Sequence, residues 1–127
     1  MKSLLLVAFL LPVAPQLGDA DLGAITRAIS KGDAAALGAF FDDSVEVSIL
    51  SKDEIYPKAK AEAVVAGFFQ KYPPASFSTV HKGTAPNKNS EYCIGNLLAG
   101  GKTFRVYIYM KAVGDKQLIQ ELRFDEE

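Results

Sequence analysis

Two hydrophobic periods divide the chain. Between Asp21 and Pro74 apolar residues recur mostly every three or four positions, and from Ala75 onward they alternate. Leu22, Ile25 and Ile29 make a helical stripe that Lys31-Gly32 ends, and Asp33 is placed to cap a short second helix with Leu37, Phe40 and Phe41 on one face. Asp42-Asp43 then reads as a helix end and a turn. Residues 44–50 alternate as a strand, and residues 51–56 supply a turn and a short return strand. Pro57 suits the first position of a third helix, where its missing N–H costs nothing. Ala61, Val64, Val65, Phe68 and Phe69 form the apolar stripe of that helix, and Tyr72-Pro73-Pro74 stops it.

Residues 75–84, 91–100, 102–112 and 116–125 read as strands separated by turns of hairpin length. The chain is therefore expected to be α+β: a helix pair, a short hairpin, a long helix and an antiparallel meander. With Gly100-Gly101 as a two-residue turn, Phe104, Val106 and Ile108 share a face with Cys93, Gly95 and Leu97. Alternation in the last strand adds Leu118, Gln120, Leu122 and Phe124 to that face, and Ser78 is a further candidate for it. The opposite face carries Tyr92, Ile94, Asn96, Arg105, Tyr107, Tyr109, Ile119, Glu121 and Arg123. Burying those unpaired charges would cost several kcal/mol each, so the first set is expected inside.

One segment belongs to neither period. Residues 4–14 are an apolar run behind Lys2, too short to span a bilayer, and Gly18 and Ala20 form a small-x-small exit. The pattern predicts a signal peptide over residues 1–20 and an exported domain over 21–127, periplasmic or secreted. Once the leader is removed, nothing ties the chain to a membrane. The chain has 14 basic and 15 acidic residues with no block of one sign. Such a surface lacks the counterion-release energy of nucleic-acid binding. A single cysteine, Cys93, cannot form an intramolecular disulfide, and its apolar neighbours favour a buried thiol over a nucleophile.

The segments from Ile25 to Phe41 (IxxAIxxGDAxALxxFF), Tyr56 to Phe69 (YPKAKAEAVVAGFF), Phe77 to Gly83 (FSTVHKG) and Phe104 to Phe124 (FRVYIYMK, then LIQELRF) resemble an exported bacterial family known as a domain of unknown function. That family lies within the nuclear transport factor 2-like, or cystatin-like cone, superfamily. The resemblance implies a curved antiparallel sheet wrapped round a long helix, with an N-terminal helix pair. It also implies sheet-to-sheet pairing as a mode of assembly. The superfamily includes steroid isomerases, dehydratases and epoxide hydrolases, but the family itself implies no activity.

The inward set offers no convincing general base: Gln120, the Cys93 thiol and Ser78 are its polar members. Glu46 alternates with Val45 and Val47 and is expected outward. His81, the single histidine, is expected on the side of Phe77 and Thr79, beside Tyr92 and Tyr109. A lone His cannot build a zinc site, and no cofactor motif is present. The reading is a non-catalytic exported module that forms a homodimer through Tyr92, Ile94, Arg105, Tyr107, Tyr109 and Glu121. A small apolar ligand is placed in the cone near Tyr56, Phe68, Phe77, Cys93 and Gln120. If the sheet face stays free, its expected partner is another exported protein or a glycan. The alternative is a small isomerase, dehydratase or hydrolase using His81, Tyr107, Tyr109 or Glu121, which requires those residues to face the core.

Overall fold

The computed structural model describes residues 19–127, with side chains from Asp21 on. The expected leader lies outside the described residues, except that Asp19 and Ala20 stand at the start of the first helix. The elements run α1 (Asp19–Lys31), α2 (Ala34–Gly38), β1 (Phe41–Ile49), β2 (Lys52–Pro57), α3 (Lys58–Lys71), β3 (Pro74–Thr84), β4 (Ser90–Ala99), β5 (Lys102–Val113) and β6 (Lys116–Glu126). Gly32, at a positive φ of 68°, ends α1, and the Asp33 carboxylate accepts from the Ala36 amide to cap α2. Pro57 lies immediately before α3.

A six-stranded sheet has the order β2-β1-β6-β5-β4-β3. Both hairpins of the meander and the β1–β2 hairpin are antiparallel, whereas β1 runs parallel to β6. Gly100 and Gly101 both hold positive φ, and the turn they make sets Leu97 opposite Phe104 and Cys93 opposite Ile108, as the two-residue turn predicts.

The core is one cluster between the helices and the inner sheet face. Ile25 and Ile29 of α1, Leu37 of α2, and Ala61, Val65, Phe68 and Phe69 of α3 meet Val45, Val47, Leu97, Phe104, Val106, Ile108, Leu122 and Phe124. Phe68 sits 4.4 Å from Phe124 and 5.2 Å from Phe104 between ring centroids, and Tyr72 lies 5.0 Å from Phe104. These edge-on and tilted packings fill the interior with aromatic rings.

Three local expectations are corrected. Phe41 and Asp42-Asp43 belong to β1 rather than to a helix end and turn, because the buried Phe41 side chain is drawn into the sheet opposite Ile119. The β5–β6 ladder shifts register between Tyr109 and Met110, leaving Gln120 as an extra residue in a bulge. Ile119 is consequently buried in the core and Leu118 only partly covered, the reverse of simple alternation. A second register shift, between Thr79 and His81, leaves Val80 unpaired and exposed. Phe77 and Thr79 therefore face inward, and His81 faces outward. Ser78, opposite Asn96, also lies on the outer face and is exposed.

Candidate functional site

The outer sheet face collects chemistry-bearing side chains in two rows set by strand register. The first crosses the sheet through Ile55, Glu46, Glu121, Tyr109, Tyr92 and Gly83. The second runs through Ser48, Arg123, Tyr107, Ile94 and His81. Tyr92 stacks on Tyr107 at 6.4 Å, and its ring lies across Gly83, where an added Cβ would come within 2.5 Å of Tyr92 Cε1. Glycine at position 83 thus lets the ring lie over the edge strand, and the Tyr92 hydroxyl reaches His81 Nε2 at 2.6 Å. The Val80 bulge completes this arrangement by turning His81 onto the outer side.

Charges border the rings. Arg123 pairs with Glu121 at 3.7 Å and Asp125 at 4.0 Å. Arg105 pairs with Glu127 and accepts no role beside Glu121; its Nε donates to Asn96 Oδ1 at 3.1 Å. The cross-strand Arg105–Glu121 pair considered for a solvated face is therefore replaced by two separate pairings. Burial, reinforced by Glu121, Tyr109 and Tyr92, pushes the Tyr107 hydroxyl above its usual pKa, with Arg123 pulling the other way. A negative charge at the centre of this face is disfavoured.

The residues considered for a ligand pocket are spread between the two sheet edges and the core. Tyr56, on edge strand β2, donates from its hydroxyl to Glu54 Oε2 at 2.6 Å. Phe68 is packed among Phe69, Tyr72, Phe104 and Phe124. Phe77, on edge strand β3, lies against Gly95. Gln120 is not an inward core side chain: at its bulge it donates to Asp42 Oδ2 at 2.6 Å, holding that carboxylate below its usual pKa with help from the Asp43 amide and Lys58 and against burial.

Cys93 is fully buried and lies 3.8 Å from Thr79 Oγ1. Burial pushes its thiol pKa up, opposed by Thr79 and Lys82. A thiol so placed is a poor nucleophile. A thiol reagent is expected to label Cys93 slowly in the native protein and readily in denaturant, and fast native labelling would show the site to be open. Among the described residues, no group of three or more His, Cys, Asp or Glu side chains could hold a metal ion.

A buried amide escaped the sequence reading. Gln117, at the start of β6, is only 6% exposed, and its Oε1 has no hydrogen-bond partner. Its backbone N–H donates to Asp21 Oδ2 at 3.3 Å. A polar residue beside the Gly114-Asp115 turn reads as surface, and only the Gln120 bulge turns it inward.

No curated protein matches the chain. Among solved structures it is similar to a DUF4783 family protein from Bacteroides uniformis, with 28% identity and a TM-score of 0.78, over 83% of this chain and 95% of that one. A DUF4783 family protein from Bacteroides ovatus gives 27% identity and 0.78 over 82% and 93%. An NTF-2 like protein of unknown function from Burkholderia xenovorans, at 17% identity and 0.64 over 85% and 82%, shares the fold. Residues 22–125 match the family model described as Domain of unknown function (DUF4783). The chain thus belongs to the DUF4783 family, and its architecture is the nuclear transport factor 2-like cone.

Proposed function

We propose that this protein is an exported, non-catalytic module whose working surface is the outer sheet face, paired with the same face of a second copy. The observation that carries the reading is the block of Tyr92, Ile94, Tyr107 and Tyr109, partly buried yet on the solvent side, with Tyr92 stacked on Tyr107. Tyrosine and arginine are favoured at interface centres because they bring large amphipathic area at low entropic cost. Opposite charges at Glu121 and Arg123 give a two-fold pairing a means to fix its register. The two faces would bring like residues together across the axis, as an isologous interface requires.

Two features argue against the other readings. Tyr107, Tyr109, Glu121 and His81 all lie on the outer face, whereas the core row is Phe104, Val106, Ile108, Leu122 and Phe124. The enzyme alternative needed the reverse. A ligand in the cone would have to displace Phe68 from its contacts with Phe104 and Phe124.

The test is the mass in solution. Sedimentation or light scattering is expected to give twice the chain mass at micromolar concentration. A monomer persisting into the high micromolar range would overturn self-pairing and redirect attention to an exported protein or glycan as the occupant of the tyrosine face.

A further inference from the structure

Gln117 poses a specific chemical question. A buried amide oxygen without a partner costs about 1–3 kcal/mol, so its neighbourhood should supply a donor. Gln117 borders a cleft of about 340 Å³ between the β3–β4 and β5–β6 turns, lined by Asn87, Lys88, Asn89, Asp115 and Lys116 among others. On another side stands Asp21, whose carboxylate accepts from the Gln117 amide. Asp21's own nitrogen is separated from that carboxylate only by Cα and Cβ. It lies in the first turn of α1, where backbone N–H groups have no intrahelical acceptor.

We propose that Gln117 Oε1 receives the chain's own mature N-terminus: removal of the leader before Asp21 frees an α-ammonium that donates to this oxygen, so that processing completes the fold. The inference rests on the export reading given above. Cleavage is a hydrolysis by a signal peptidase. Water breaks the Ala20–Asp21 peptide bond, leaving a carboxylate on Ala20 and an amine on Asp21 that takes up a proton.

An ammonium at a helix N-terminus is opposed by the helix dipole. Here the Asp21 carboxylate and the Gln117 carbonyl offset it, and the charged groups of the facing turns, Asp115 against Lys88 and Lys116, nearly cancel. The domain match begins at residue 22, so the captured amine would sit at the boundary where leader gives way to domain. The partner is an amine rather than an anion because Oε1 is an acceptor.

The ammonium gains an acceptor on folding, which raises its folded pKa above the ordinary value of about 7.7–8.0. The stability it adds is therefore fully present below that value and is lost as pH rises through the raised folded pKa.

The test uses full-length protein expressed with its leader and recovered from the export fraction. Intact mass is expected to show a chain starting at Asp21. Selective acetylation of the α-amine is expected to lower Tm at pH 6 by about 4–8 °C, with the gap closing at alkaline pH. In Gln117→Leu, acetylation should no longer change Tm. A chain that starts at Asp21 but is indifferent to acetylation would overturn the capture while leaving the export reading intact. A chain beginning elsewhere would overturn both.

Discussion

Replacing Phe104 by alanine is expected to lower stability by about 3–5 kcal/mol, the usual range for deleting a buried aromatic side chain and leaving a cavity. The ring is fully buried on the inner face of β5, between Phe68 and Tyr72, and its strand partner Leu97 is also fully buried. No neighbouring side chain can fill the space without abandoning its own packing. Since single domains retain only about 5–15 kcal/mol in total, this variant should unfold at a much lower urea concentration with an unchanged m value. Leu122→Ala, on the same face, should follow at about 2–5 kcal/mol. Lys116→Ala, exposed at the β5–β6 turn, should stay within about 0.5 kcal/mol of wild type. Equal small losses at all three positions would mean that the inner face is not the core.

Tyr107→Glu is expected to turn the dimer into a monomer while leaving far-UV circular dichroism nearly unchanged. Tyr107 lies opposite Ile94 on one side and Arg123 on the other, on the solvent side of β5. The substitution therefore removes no core contact. It places a carboxylate beside Glu121, in the position where the phenol already resists ionisation. Loss of a central interface tyrosine costs about 2 kcal/mol or more. A two-fold interface suffers it twice, which is on the order of a thousandfold in Kd. Light scattering reads the result, and a Tyr107→Glu protein that remains dimeric would remove the tyrosine face from the interface.

The helix stripes and strand faces were legible because burial imposes one period on each. Val65, Phe68 and Phe69 could not be buried together except on one side of a helix, and Phe104, Val106 and Ile108 could not be buried together except on one side of a strand. The bulges at Val80 and Gln120 were not legible in the same way. Each inserts a residue whose polarity does not mark the insertion, and each reverses alternation on one side of it. The errors at His81, Ser78, Leu118 and Gln120 all have that origin, and the buried Gln117 was hidden by it. The parallel β1–β6 contact was invisible for another reason: it joins segments far apart in sequence, and alternation reports a strand's face but not its neighbour. The tyrosine face itself could be read because β4 and β5 are joined by a tight turn and pair without interruption over their whole length.

The bulge at Val80 also bears on how this sheet avoids polymerising. An open sheet has two unpaired edges, and each is a template on which another chain can add a strand. Along β3 the edge begins at Pro74, which has no N–H to offer, and is broken again where Val80 leaves the ladder. Along β2 the edge is only six residues long, carries Lys52, Asp53 and Glu54, and ends at Pro57. Neither edge offers a long, regular row of donors and acceptors, so growth by strand addition, the route to fibres, is closed off at both ends of the sheet. Contact through the broad face remains, and a two-fold contact of that kind is satisfied by two copies and stops there.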